Sequence, residues 1–258
     1  MLTVQKFGGS SLADAERLRR AARLAARARR EGALIVVVSA MGDSTDDLLA
    51  LARTLSPEPP PRELDALLST GERCSAALLA ITLESIGCPA RSLSGPQAGI
   101  CAEGEHGDGR IVLLTPRRLL ETLEEGRVAV VCGFQGRNAE GDVITLGRGG
   151  SDTSAVTLAA ALGAGRCEIY SDVEGVYTAD PRLLPEARFQ PLIDTEDMLR
   201  LAEAGAQVLH PRAARAALEG GLELTLRSSF TDGGGTVVRR LPEALRPPYA
   251  GVTRRSGG

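Results

Sequence analysis

The chain reads as an α/β protein with a mainly parallel central sheet and helices on both of its faces. Three observations carry this. Leu34-Ile35-Val36-Val37-Val38 and Val128-Ala129-Val130-Val131-Cys132 are continuous apolar runs, as strands buried on both sides require. Stretches of helical character alternate with strands along most of the 258 residues. Four polar loops, three of them pairing glycine with a hydroxyl residue, follow strands at their C-terminal ends, where open α/β sheets bind ligands.

In order, Leu2 to Phe7 is the first strand. Ala13 to Arg30 is a helix rich in Ala, Arg and Leu, with Leu18 and Leu24 on its apolar side. Asp14 and Glu16 near its start and arginines at its end match the helix dipole. Leu34 to Val38 ends in the loop Ser39-Ala40-Met41-Gly42, and a helix runs from Asp46 to Leu55. Pro57 to Pro61 breaks the pattern as a surface loop. Glu63 to Ile86 is helical, with an interruption expected at Thr70-Gly71-Glu72. Ala90 to Leu93 is a short strand, Gly95 to Gly109 a loop-rich stretch with room for a hairpin, and Thr115 to Glu125 a helix. The strand from Val128 to Cys132 leads into Gly133-Phe134-Gln135-Gly136, and Asn138 to Asp142 is a hairpin tip. An alanine-rich helix, Thr153 to Leu162, precedes a strand from Cys167 to Tyr170 and a loop from Ser171 to Gly175. Helices at Glu196 to Ala204 and Pro211 to Glu219 lead to a closing strand, Leu222 to Arg227. There is no internal repeat. Arg239 to Gly258, rich in Arg, Pro and Gly, reads as a tail.

Composition excludes several functions. A net charge of −3 argues against nucleic acid or a membrane surface as main partner. The absence of Trp removes the best platform for stacking on single strands. Five cysteines, Cys74, Cys88, Cys101, Cys132 and Cys167, are scattered without a CxxC pair, which fits reduced thiols in a cytoplasmic protein. No apolar run has the length expected of a bilayer span, and no signal peptide is seen.

Chemistry concentrates in two places. Lys6 is the one lysine among 30 basic residues, so the other 29 are arginine. A site that needs a compact ammonium cannot accept the broad guanidinium fork. Lys6 lies in Lys6-Phe7-Gly8-Gly9-Ser10-Ser11, a strand end followed by a turn suited to phosphate. The second place is Gly147-Arg148-Gly149-Gly150-Ser151-Asp152, just before a helix. Free amides at a helix start favour an anion, Arg148 forks onto a carboxylate, and Asp152 would orient a cation such as Lys6. An ordinary N-cap by Ser151 or Asp152 explains those two residues, but not an arginine among three glycines. Likewise, any single glycine loop fits a plain α/β turn, whereas four of them point to one shared crevice. GxxxxGK[ST], GxGxxG after the first strand, HExxH and GxSxG motifs are all missing. His106 and His210 stand far apart in sequence, so a built-in catalytic metal is not expected, and His210 before Pro211 reads as a packing residue at a helix start.

These blocks, with Thr70-Gly71-Glu72, Ser171-Asp172-Val173-Glu174-Gly175-Val176-Tyr177-Thr178-Ala179-Asp180-Pro181-Arg182 and Val208-Leu209-His210-Pro211, resemble the aspartate kinases of the amino-acid kinase superfamily. The resemblance runs in register from about Leu2 to Phe230. It implies a three-layer α/β/α sandwich spanning 1–238, with an amino-acid half over about 1–145, a nucleotide half over about 146–238 and a tail over 239–258. It implies transfer of the ATP γ-phosphoryl group to the β-carboxylate of L-aspartate, the first step towards lysine, threonine and methionine. Lys6 and Asp152 would be catalytic. Ser39, Thr45, Glu72 and Phe134 would line the aspartate, Glu72 facing its ammonium, while Arg148 with Gly149, Gly150 and Ser151 takes its carboxylate. Lys6, Phe7, Gly8, Gly9, Ser10, Ser171, Asp172, Tyr177, Arg182 and Gln207 fall on the ATP side. Mg²⁺ would ride on the phosphates, with no residue assigned to it as a ligand. A cytoplasmic homodimer joined through the amino-acid half is implied too.

Two departures stand out. Gln207 occupies the position where the family usually has a lysine for the ATP phosphates, so a weaker hold on ATP is expected unless Arg182, Arg212 or Arg215 compensates. The regulatory ACT domains of most such enzymes have no counterpart in this sequence, so insensitivity to lysine is expected. Two alternatives remain: a kinase of the same fold acting on another acid in specialised biosynthesis, and a catalytically impaired nucleotide-binding subunit.

Overall fold

The computed structural model describes residues 1–181 and 183–242. Arg182 and all but the first four residues of the expected tail lie outside them. The centre is an eight-stranded sheet. From one edge it runs β12 (Leu192–Asp194), β14 (Thr236–Arg239), β13 (Leu224–Ser228), β9 (Arg166–Ser171), β1 (Leu2–Phe7), β2 (Ala33–Val38), β6 (Val128–Cys132) and β3 (Ala90–Leu93). The six strands from β13 to β3 are parallel. β14 runs antiparallel to β13, and β12 pairs parallel with β14. So β13 does not close the sheet as expected. The glycine run Gly233-Gly234-Gly235 turns the chain back, and Gly235 adopts φ +78° where a Cβ would meet the Leu226 carbonyl oxygen. Leu241, within the expected tail, is buried and donates its N–H to Asp194 Oδ2 at 2.7 Å.

The alternation of each strand sorts its side chains between two cores. Phe7, Leu34, Val36, Val38, Val128 and Val130 pack with α1 (Ala15–Arg29) and α3 (Pro61–Ser85). Val4, Ile35, Val37, Val131 and Ile169 pack on the opposite face with α5 (Gly150–Ala161), α6 (Thr195–Glu203) and α7 (Pro211–Glu219). Each fully buried aliphatic side chain contributes about 1.5–3 kcal/mol. Apolar residues on both faces are why β2 and β6 read as unbroken hydrophobic runs.

Helix α3 corrects one expectation, because it passes through Thr70-Gly71-Glu72 without a break. The glycine is there for packing: a Cβ at Gly71 would stand 2.8 Å from Ala40 Cβ. Part of α3 also has the length and hydropathy of a membrane span, against the expectation that no run would, yet half of that stretch is buried inside the fold. α5 begins three residues before the expected Thr153. α2 spans Ser44–Leu55 and α4 spans Arg117–Glu124.

A second sheet, ordered β5 (Arg110–Leu114), β4 (Ile100–Glu103), β7 (Gln135–Arg137) and β8 (Val143–Thr145), holds both expected hairpins. A two-stranded ribbon, β10 (Val176–Tyr177) with β11 (Phe189–Gln190), was not foreseen. All five cysteines are unpaired.

Candidate active site

The turns after β1, β2 and β6 and the start of α5 enclose a cleft of about 290 Å³. The first two turns are bonded together: the Gly42 N–H donates to the Gly9 carbonyl at 3.0 Å, and a Cβ on Gly9 would lie 2.8 Å from the Ala40 carbonyl oxygen. Gly133 is equally tight, since its Cβ would stand 2.7 Å from Ser151 Cβ. Phe134 is the single non-glycine residue with positive φ among those described, at 65°. That conformation costs on the order of 1–3 kcal/mol and persists because the neighbouring turns enforce it.

Lys6 reaches into the cleft from the end of β1, and its Nζ lies 2.7 Å from Asp152 Oδ1. Both are mostly buried, with side-chain exposures of 10% and 15%. A Cβ on Gly8 would come within 3.4 Å of that ammonium, so the glycine leaves room for a ligand oxygen. Across the cleft, Gly149 is the N-cap of α5 with φ 69° and no side-chain cap. The ordinary N-cap weighed as the alternative does not occur: no side chain caps α5, and Asp152 faces Lys6. Arg148 is exposed at the rim and has no carboxylate partner among the described residues. A charged pair, an uncommitted guanidinium and an uncapped helix start therefore line one cleft.

Glu72 lines the same cleft. It is 3% exposed, Oε1 accepts the Ala40 N–H at 3.0 Å, and the buried Oε2 has no partner. Burial pushes its carboxyl up to about 7. A buried carboxyl oxygen without a donor, on the wall of a cleft, is a place for a cation. Ser39 and Thr45 line the same space, as does Phe134. A larger open hollow of about 470 Å³ against Thr115, Pro116 and α4 shares no residue with this cleft, and its Arg117 and Glu121 pair with each other.

Of the described residues expected on the ATP side, only Lys6 and Gly9 line this cleft. Gly8 donates to the Tyr170 carbonyl at 3.1 Å, and Phe7 stacks on Tyr170 at 4.7 Å between centroids. Ser10 presents its carbonyl to Arg17 Nη1 at 2.8 Å. The Ser171 carbonyl accepts both the N–H and the hydroxyl of Ser229, and Ser229 Oγ also lies 2.7 Å from Ser11 Oγ. Asp172 is exposed, and the Tyr177 hydroxyl donates to Glu174 at 3.0 Å beside the edge of Phe189. Ser171, Asp172 and Tyr177 do not line the cleft itself. Gln207 is exposed in the turn before α7 and also lies outside it. Neither of the two described arginines expected to compensate is free: Arg212 pairs with Asp108 and Arg215 with Glu203. His210 caps α7 by accepting the Arg212 N–H on Nδ1 at 3.3 Å, packs where a Gly149 side chain would go, and is held below its usual range by burial. It is a packing and capping residue, as expected.

Arg17, Ser229 and Asp65 escaped the sequence reading, and Arg212, expected there only as a stand-in cation for the phosphates, instead holds the Leu146 carbonyl and Asp108. Ser229 follows the C-terminal end of β13 and obeys the same rule as the other loops. Asp65 was visible as a carboxylate on the buried stripe of a helix, alongside Leu68, Glu72 and Leu79.

The sequence model of the amino acid kinase family matches residues 1–228. The chain belongs to that family. Among curated amino acid kinases it is 52% identical to the aspartokinase of Mycolicibacterium smegmatis over 92% of its own length and 57% of that protein's. It is 50% identical to an aspartokinase of Thermus thermophilus, covering 97% of this chain and 62% of that one. Among solved amino acid kinases, aspartokinase III of E. coli in complex with aspartate and ADP aligns with a TM-score of 0.87 at 27% identity, over 94% of this chain and 65% of the other. Aspartate kinase from Synechocystis gives 0.81 at 47% identity, over 95% and 41%. The chain thus spans less than two thirds of the length of each relative.

Proposed function

We propose that the chain is the kinase portion of an aspartokinase and transfers the γ-phosphoryl group of ATP to the β-carboxylate of aspartate. The observation that carries this is the Lys6–Asp152 pair at 2.7 Å in one cleft with Arg148, the start of α5 and Glu72. Glu72 receives the α-ammonium on its unpartnered oxygen. Arg148 and the Ser151 amide at the start of α5 receive the α-carboxylate, while the Gly150 N–H is held by the Gly147 carbonyl at 3.0 Å and shapes the turn. The remaining carboxylate is left for the side of the cleft held by Lys6. It is already a nucleophile at neutral pH and needs no base. One of its oxygens bonds to the γ-phosphorus as the bond to ADP breaks, and no proton moves. The work left to the protein is alignment and charge neutralisation.

Lys6, held by Asp152, meets the charge on the transferring group as a compact ammonium, and the Gly8-Gly9 turn lets the phosphates approach its backbone. No cluster of three His, Cys, Asp or Glu side chains suited to a metal occurs among the described residues. A Mg²⁺ carried by the nucleotide phosphates and water would neutralise phosphate charge when bound. On the ATP side stand Gly8, Gly9, Ser10, Ser171, Asp172 and Tyr177, with Gln207 supplying a neutral donor where a cation would bind more strongly. The thiols and charge suit a cytoplasmic enzyme.

The test is ADP release by the purified chain across a panel of amino acids, with hydroxamate trapping of the acyl phosphate. Aspartate-dependent release and an aspartyl hydroxamate are expected. Preference for another acid, or ATP binding without turnover, would reject the assignment.

A further inference from the structure

Asp65 belongs to none of the groups above, yet its carboxylate accepts four hydrogen bonds. It is 1% exposed on the inner stripe of α3. Oδ2 accepts from the Gly107 N–H at 3.1 Å, the Thr145 N–H at 3.0 Å and His106 Nδ1 at 2.7 Å, and Oδ1 accepts the Thr145 hydroxyl at 2.5 Å. A carboxylate offers only acceptors here, so Nδ1 is the protonated nitrogen of His106. A carboxylate on a buried helix stripe is costly unless its oxygens are satisfied, and packing alone would be served by leucine.

The four bonds join two segments that flank the acceptor site. One is the tip of the β4–β5 hairpin, the other the last residue of β8. They also bond to each other, Gly109 N–H to the Thr145 carbonyl at 2.8 Å. Directly after Thr145 the chain enters Leu146-Gly147-Arg148. Gly147 has φ +70°, and a side chain there would stand 2.9 Å from the Gly107 carbonyl oxygen, so the hairpin tip is the wall that shapes this turn. From the other side Arg212 donates to the Leu146 carbonyl at 2.8 Å and pairs with Asp108. Arg148 has no side-chain partner of its own among the described residues, so its direction is set by this backbone.

We propose that Asp65 is the positioning residue of the acceptor site: by clamping the 106–109 tip against Thr145 it aims Arg148 and the first amides of α5. The claim rests on reading the cleft as an aspartate site. It concerns aim and not charge, since Asp65 touches no substrate. A misplacement of the order of 1 Å can cost about a hundredfold in rate.

The experiment compares Asp65→Ala and Asp65→Asn with His106→Ala and His106→Asn. Asparagine at 65 can keep the oxygen that takes three bonds and turn its amide to the Thr145 hydroxyl, which can accept. Asparagine at 106 restores a donor near the Nδ1 position. Asp65→Ala is expected to raise the KM for aspartate about tenfold to a hundredfold and leave the KM for ATP within about twofold. His106→Ala should follow in the same direction by a smaller factor. Both asparagine variants should return to within about threefold of the parent.

In the ligand-free protein, amide exchange over 147–151 should quicken in both alanine variants while β1, β2 and β6 stay protected; none of those amides is bonded to Asp65. Unchanged KM for aspartate with a lowered melting temperature, or exchange that rises evenly along the chain, would overturn the proposal. If Asp65→Ala does not fold, the His106 pair decides by the same criteria. Should the parent release no ADP with aspartate, the functional reading fails, while exchange over 147–151 still decides whether Asp65 holds the turn.

Discussion

Glu72 shows what the site does to a single residue. The fold withdraws it from water and leaves one oxygen unsatisfied, which suits an incoming ammonium but penalises the empty protein. Its carboxyl is raised from 4.5 to about 7 by burial. Between those values the folded chain keeps a proton that the unfolded chain has released, so stability is highest at the acid end and declines as pH rises through the window. A difference of that size corresponds to about 3 kcal/mol lost by pH 8. Glu72→Gln should flatten this decline, gaining about 1–2 kcal/mol at pH 8 in urea titrations, since the amide has no charge to desolvate. The same variant should raise the KM for aspartate tenfold or more, roughly the worth of a charged hydrogen bond. In the parent the KM for aspartate should fall between pH 6 and 8 as Glu72 ionises. A flat profile over that range would show that Glu72 does not meet the substrate.

At the scale of elements, Gly71 sets local preference against packing. Glycine costs an exposed helix interior about 1 kcal/mol relative to alanine. On propensity alone Gly71→Ala should stabilise α3. The added methyl would stand 2.8 Å from Ala40 Cβ, which is fixed to the loop backbone and cannot swing away. The expectation is a loss of about 1–3 kcal/mol, seen as a lower urea midpoint, together with weaker aspartate binding as the 39–42 loop is displaced. This also explains why the helix looked broken from its sequence: periodicity registers a glycine but not the neighbour it accommodates. Strands such as β2 and β6 were legible because burial on both faces writes itself as an apolar run. β12 and β14 were not, because they have three and four residues and their pairing depends on distant partners. The ribbon of β10 and β11 joins segments whose contact no local pattern announces.

At the scale of the molecule, the cleft was legible where residue type and ligand chemistry coincide, at Lys6, Arg148 and Asp152, whereas Glu72 was reached only through the family resemblance. The supports behind it were not, because Asp65, Arg212 and Ser229 act through contacts 80, 66 and 58 residues away along the chain. Those contacts tie together segments that local patterns treat as separate. The core crosses the boundary between the two expected halves, since Val4, Ile35 and Val37 share one cluster with Ile169, Leu224 and Val238. The halves should therefore unfold together. Urea denaturation followed by far-UV circular dichroism and by tyrosine fluorescence should give one coincident midpoint, despite a length at which intermediates become common. Two separated transitions would show that the halves are independent. The single lysine has a practical consequence as well. Apart from its α-amino group, the chain offers acylating reagents one primary amine, and that amine lies one-tenth exposed against Asp152 on the floor of the cleft. Labels that scatter over the surface of most proteins would here report a single address, and the mass they add becomes a gauge of whether that floor is covered.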